Sequence, residues 1–400
     1  GYHVCRVLKL DIKKTKRIVF NEITKKAIKE AVKNFRYLDM NLVNAQQARQ
    51  VLDFIIGFDI SPVLWKYIKS GISAGRCQTP ALRLVNEKEQ AIDGFQSTNF
   101  FDLQGKFIIE FEETTINFEC KHSKKLKSKE IALNALEKYK TSKFKITNIT
   151  MSESKSKSAA PFITSTLQQE CSNKLGISPA KTMQIAQKLY EGGLITYMRT
   201  DSKIISEDCL KTIKDYVKNT YGNKFYKSTK YKNESNNTQE AHECIRPVDI
   251  HKIDINNDFS PQEKKVYQLI WRKTVASQMT DSITQVMKVV INDDQVKYPF
   301  DTEFTKTIHL GYLKAYEEVS HDNITSIKDD IEVDDSVDID TITSEEKSTK
   351  SVARYTEASL IKDLEKRGIA RPSTFASIID TLFKREYIVK ESRKGSNIEI

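Results

Sequence analysis

The stretch LGISPAKTMQIAQKLYEGGLITY (Leu175 to Tyr197) aligns without gaps on RGIARPSTFASIIDTLFKREYIV (Arg367 to Val389), and this repeat constrains the fold more than any other feature. Gly176 meets Gly368, Ile177 meets Ile369 and Thr182 meets Thr374. Both copies read as helix, glycine turn, helix and short strand, the pattern of a helix-turn-helix with a β wing. Proline suits the first turn of a helix, so Ser178-Pro179 and Arg371-Pro372 are expected to start the second helix of each copy. Two such units favour contact with DNA, although the motif also serves as plain packing.

The copies differ in one place that matters chemically. Val389 stands where the first copy has Tyr197, so a buried wing strand does not require a phenol there. Tyr197 is followed by Met-Arg-Thr-Asp-Ser, which offers more phosphate-binding groups than the Lys-Glu-Ser-Arg-Lys after Val389. A phenol with a pKa near ~10 is ionised in about one molecule in a thousand at neutral pH, so attack on phosphorus needs a neighbour that compensates the proton. In an extended strand residues i and i+2 share a face, which would put the Arg199 guanidinium beside the Tyr197 hydroxyl. Its forked donors also suit the charge that grows on phosphate oxygens. A Tyr-x-Arg on a strand is more often a cross-strand or cation–π pair, and these residues alone leave core aromatic and nucleophile both open.

Three other segments bear on the choice. SAGRCQTPALRLV puts Ser73, Ala74, Gly75 and Cys77 beside Arg76 and Gln78 just before an amphipathic helix beginning near Pro80. Small residues and helix-start amides with an arginine suit close approach to a phosphate backbone, and an ordinary loop is the bland alternative. QEAHECIRPVD carries His242, Glu243 and Arg246 around a proline turn; with no second histidine at i+4 it is no zinc site. RIVFNEITKKAI offers Phe20, Asn21, Thr24 and Lys29 near a strand-to-helix junction, where they could track single-stranded DNA or where Asn21 could simply cap the helix.

Composition sets the bounds. The 64 Lys and Arg against 54 Asp and Glu give a net charge of +10, which fits a polyanionic partner or a solvated lysine-rich surface. Six scattered cysteines with no CxxC pair read as free thiols. No apolar run approaches the roughly 18 residues that span a bilayer, which excludes a helical membrane protein. The opening GYHV lacks a methionine and reads as the start of a fragment of a longer chain. The stretch Lys121 to Lys157 is basic and rich in β-favouring runs, whereas Asp329 to Glu346 holds carboxylates with no Lys or Arg and reads as an acidic linker.

Taken together, the blocks NEITKKAI, NAQQARQVLDFIIGF, SPVLWK, SAGRCQTPALRLVNEKE, PFITSTLQQE, KTMQIAQKLYEGGLITYMRTDS, AHECIRP and RYTEASLIKDLEKRGIARPSTFASII resemble the bacterial-type type IA DNA topoisomerases, in that family's order. The resemblance implies a multidomain α+β fold: a toroid with winged-helix units and a strand-rich hinge, most of its TOPRIM domain lying before Gly1. Residues 1–35 would be the end of TOPRIM, 36–92 a helical base and 93–157 the hinge strands. Residues 158–284 would form a winged-helix-like domain carrying the tyrosine, 285–330 would return through the hinge, and 331–400 would combine the acidic linker with a winged-helix return to the base.

By the same resemblance Tyr197 becomes joined to the 5′ phosphate of one broken strand, and strand passage and religation relax negative supercoils. Arg199 would stabilise the transition state and His242 would hydrogen-bond the DNA or the tyrosine network. Ser73 to Gln78 with Phe20, Asn21, Thr24, Lys29 and Arg36 would hold the single strand. Mg²⁺ is implied as cofactor, bound by an Asp-x-Asp-x-x-Gly-Glu run expected upstream of Gly1, so no metal ligand is expected within the chain and the chain alone is expected to be inactive. The expected partner is single-stranded and negatively supercoiled DNA, met by a monomer without a membrane, in the cytoplasm and nucleoid if bacterial. Within that family topoisomerase III and reverse gyrase are the alternatives. Outside it stands an inert winged-helix protein that binds single-stranded DNA.

Overall fold

The computed structural model describes residues 1–111, 115–233, 243–293, 298–316 and 330–391. The chain opens with helices α1 (Tyr2–Val7), α2 (Lys25–Lys33) and α3 (Met40–Ile55), then a π-helical turn (Ile56–Ile60), α4 (Ser61–Tyr67) and α5 (Gln78–Asp93). Strands β1 (Asn99–Glu110) and β2 (Thr115–His122), helix α6 (Lys129–Tyr139) and strand β3 (Phe144–Ser156) follow. Next come α7 (Thr164–Leu175), α8 (Pro179–Glu191), α9 (Glu207–Thr220) and α10 (Pro261–Ala276). The chain returns through β4 (Ser282–Asp293), β5 (Phe300–His309) and β6 (Ser336–Ser348), and closes with α11 (Glu357–Lys366) and α12 (Phe375–Lys384).

Strict alternation makes the strands. In β2 every second residue is buried, so Ile116, Phe118 and Cys120 face inward while the residues between them face water. The six strands close into an antiparallel barrel in the order β1-β2-β5-β4-β3-β6. Its interior is aromatic: the ring of Phe107 lies 5.3 Å from both Phe144 and Phe300. Gly105 makes room for it, since a Cβ there would stand 2.4 Å from the Phe107 ring. The barrel is two three-stranded sheets, β2-β1-β6 and β3-β4-β5. They meet at two short seams, Lys121↔Asp301 with His122↔Phe300 on one side and Phe144↔Val337 with Lys145↔Ser336 on the other.

The expected acidic linker is in large part strand β6, paired with β1 from Asn99↔Ser348 to Ile108↔Asp338. Its carboxylates hid the alternation: Asp338 and Asp340 face solvent while Val337 is buried and Ile339 packs on the barrel core.

Each sheet leads to a different helical unit. The first joins α5 and α11, which with α12 share a core containing Ala81, Leu84, Leu360, Ile361, Phe375 and Leu382. The second joins α7 and α10, and α7 to α10 pack around Leu167, Leu189, Ile195 and Ile270, with a neighbouring cluster around Ile213, Trp271 and Val275.

The repeated glycine has a physical reason in both copies. Gly176 has φ 64° and Gly368 has φ 68°, the left-handed conformation that glycine adopts without penalty. Ser178 caps α8 through its hydroxyl and Pro179 fills the first turn. Arg371-Pro372 does not start a helix: the chain turns there after Ala370 at φ 74°, and α12 begins only at Phe375. Neither copy ends in a regular wing strand. Ile195 forms one isolated bridge to Pro247, and Val389 is 77% exposed rather than buried.

Candidate active site

Tyr197 lies in a short segment fixed from several sides. Upstream, the Leu194 carbonyl accepts from Val248 N at 2.9 Å and Thr196 N donates to the Arg246 carbonyl at 2.9 Å. The buried Thr196 hydroxyl donates to the Cys244 carbonyl at 2.6 Å and accepts from Arg246 N at 3.0 Å. Tyr197 N itself donates to the Asn21 carbonyl at 2.7 Å, across 176 positions of sequence. The half-buried ring meets Tyr190 edge-on, with centroids 5.4 Å apart. Burial, and to a lesser extent Tyr197, raises the Tyr190 pKa, so this wall of the site stays neutral.

The premise of an extended strand does not hold downstream. The backbone bends at Met198 and Arg199, with Met198 in the core at 1% exposure and Arg199 facing solvent. Among the described residues Arg199 makes no ion pair, and its side chain is exposed.

A cleft of about 530 Å³ opens beside this segment, between α2 with its lead-in and the region of α9 and Glu243. Phe20 and Asn21 line it, and Lys26 Nζ reaches across to Asp208 at 3.0 Å. At its floor Arg246 is 5% exposed, with Nε 2.6 Å from Glu243 and Nη2 3.2 Å from Glu22. A buried guanidinium needs such compensation, and here it ties the start of the chain to the tyrosine segment. The Ile-Arg-Pro triplet was visible in the sequence, but nothing local pointed to a partner 224 residues away.

The other expected residues fall in different places. Thr24, rather than Asn21, caps α2: its hydroxyl accepts from Ala27 N at 3.1 Å and donates to Glu22 at 3.0 Å. Lys29 and Arg36 are exposed, and Arg36 pairs through its backbone with Arg17. His242 lies outside the described residues. Ser73 to Gln78 form a half-buried segment whose first three amides are bonded within the protein. Ser73 N donates to the Tyr387 hydroxyl at 2.6 Å, Ala74 N to Ser61 at 3.2 Å and Gly75 N to Thr79 at 3.1 Å. Gln78 holds the Ser73 carbonyl and hydroxyl, both at 2.9 Å. Arg76 grips Asp53 through two hydrogen bonds of 2.6 and 3.2 Å. Cys77 is half-buried at the start of α5.

Among the described residues no three His, Cys, Asp or Glu side chains gather in a way that could hold a metal ion. Glu22 and Glu243 are committed to Arg246 and Asp208 to Lys26, so the cleft does not fit Mg²⁺ and no step is derived through it. Nor, among the described residues, is any helix long and apolar enough to cross a membrane.

Comparison with known proteins adds a lineage. A family model described as DNA topoisomerase matches residues 37–398. DNA topoisomerase 1 from Xylella fastidiosa strain Temecula1 is 39% identical and that from strain 9a5c 38% identical, each over 98% of this chain. The chain spans 52% of the length of both. The full-length topoisomerase I structure from Thermotoga maritima superposes with a TM-score of 0.81 at 35% identity, over 98% of this chain and 64% of that one.

Proposed function

This chain belongs to the DNA topoisomerase family, and on that premise we propose that it carries the cleaving half of a type IA topoisomerase, with Tyr197 as nucleophile. The observation that carries the reading is the docking of Tyr197 N on the Asn21 carbonyl at 2.7 Å, which ties the segment bearing a half-buried phenol to a residue that lines the polar cleft. Tyr197 Oη attacks the scissile phosphorus, forming the O–P bond of a 5′ phosphotyrosine as the bond to the 3′ oxygen breaks. The proton lost by the phenol is balanced by the one the 3′ oxygen gains. Religation reverses both changes, so little bond energy is lost while the strand is open. Arg199, solvent-facing, meets the charge developing on the phosphate. His242 assists by hydrogen bonding. Phe20 and Asn21 receive the single strand in the cleft, and the loop Ser73 to Gln78 with Lys29 and Arg36 guides it there.

The substrate on this reading is negatively supercoiled DNA, acted on by a monomer in the cytoplasm and nucleoid of a bacterium, with Mg²⁺ bound elsewhere in the longer protein. The test uses the natural full-length protein containing these residues. Tyr197→Phe should retain single-strand binding and lose the denaturant-stable DNA adduct. An adduct that persists in the Phe variant rules out Tyr197 as nucleophile. Normal binding with no adduct in the unaltered protein points to an inert binding protein instead.

A further inference from the structure

Directly behind the tyrosine segment, the first residue of α7 makes four hydrogen bonds to the backbone on either side of Arg199. Thr164 Oγ1 lies 2.7 Å from the Met198 carbonyl and 3.0 Å from the Thr200 carbonyl, and accepts from Thr200 N at 2.9 Å. Thr164 N donates to the Thr200 carbonyl at 3.0 Å. The hydroxyl has one proton, shared between the two carbonyls, while its lone pair takes the amide. All of this is dry: Thr164 is 0% and Thr200 2% exposed. Helix α7 is itself anchored, since the neighbouring Ser165 hydroxyl donates to Glu365 of α11 at 2.6 Å.

The two sides of Tyr197 are thus held by equivalent devices, each a buried threonine hydroxyl bridging carbonyl and amide groups across the sequence. Thr196 fixes the approach to Tyr197. Thr164 fixes the departure, and with it the only stretch of backbone between the phenol and the Arg199 guanidinium. The bend at Met198 and Arg199 replaces the strand that would otherwise set their relative position, so that position depends on the group that holds the bend.

We propose that Thr164 is a positioning residue for phosphoryl transfer: its hydroxyl fixes the Met198–Thr200 bend, and so sets where Arg199 stands relative to Tyr197 Oη. The inference rests on the reading of Tyr197 as nucleophile and adds a residue that does not touch DNA. In-line attack tolerates little misplacement, and a shift of about 1 Å costs on the order of a hundredfold in rate.

The experiment measures single-turnover cleavage and religation of a single-stranded oligonucleotide at saturating DNA, in the full-length protein. Thr164→Val keeps the β-branched shape and removes the hydroxyl. It should slow both steps by about tenfold to a hundredfold while DNA affinity changes less than about threefold, and Thr164→Ser should restore most of the rate. Thr274→Val is the control for stability. That hydroxyl is equally buried in the same helical unit but bonds only the Ile270 carbonyl of its own helix, at 2.8 Å, so its loss should leave cleavage near normal. Normal cleavage by Thr164→Val, equal slowing by Thr274→Val, or failure of serine to rescue would each overturn the proposal. Tyr197→Phe, assayed alongside, separates the two claims. If it abolishes the adduct while Thr164→Val cleaves normally, only the positioning role fails; if it still forms the adduct, the nucleophile assignment fails.

Discussion

At the scale of single residues, the largest electrostatic commitment in the site is Arg246. Its guanidinium is 5% exposed and is compensated by Glu243 at 2.6 Å and Glu22 at 3.2 Å, with a further bond from Nη1 to the Pro247 carbonyl at 3.1 Å. Removing the cation leaves two partly buried carboxylates facing each other, which generally costs about 3–5 kcal/mol. Arg246→Ala should therefore destabilise the helical unit by that order in urea unfolding, and Glu22→Gln should cost less because Glu243 still holds the charge. A double-mutant cycle should give the larger coupling to Glu243, the closer partner; equal stability of Arg246→Ala and the unaltered protein would contradict the account.

At the scale of elements, β2 ends in a group whose protonation the fold resists. His122 is buried at a seam of the barrel, with Nδ1 2.6 Å from the Lys124 carbonyl and Nε2 3.1 Å from the Tyr139 hydroxyl. Nδ1–H donates to the carbonyl, and Nε2 is left to accept from the phenol. Burial lowers the His122 pKa below the ordinary value of 6.5, so the neutral ring is the form that stabilises the barrel. That contribution is fully present above pH 6.5 and is lost as pH falls through the lower folded value. The melting temperature of the barrel should fall as pH is lowered below 6.5, and His122→Gln should flatten that slope. The same elements show what a sequence discloses. The left-handed turns were legible because only glycine at 176 and 368 meets the demand cheaply, and the helices and alternating strands were legible from their periods. Strand β6 was masked by its charge, and α12 starts late because a backbone turn overrode its proline. The bonds from Thr164 to Thr200 and from Arg246 to Glu22 leave no local period at all, so the part of the site that depends on them could not be read in advance.

At the scale of the whole molecule, the α7 to α10 unit meets its neighbours through the packing of α7 on α11 and α8 on α12 and through polar contacts that include Ser165 to Glu365 at 2.6 Å, Tyr197 N to the Asn21 carbonyl at 2.7 Å, Lys26 to Asp208 at 3.0 Å and Arg246 to Glu22 at 3.2 Å. Its covalent connections to the rest of the described chain run through β3 and β4, whereas α5 and α11 are reached through β1 and β6. Along the chain, a load that pulls those units apart passes from one barrel sheet to the other. Within a sheet it meets long ladders, such as the one from Phe144↔Asp293 to Ser156↔Ser282. Between sheets it meets short seams, each of two ladder pairs with a few flanking bonds, Ser123 N to the Pro299 carbonyl at 2.9 Å on one side and Ile146 N to the Asp335 carbonyl at 3.0 Å on the other. Hydrogen exchange should accordingly be faster at the seam amides of His122 and Lys145 than along the β1–β6 ladder, and uniform protection would refute this. In mechanical terms the barrel is two stiff plates joined by two narrow hems. Compliance is concentrated at the hems, so a relative displacement of the two plates would be absorbed there before either ladder is distorted.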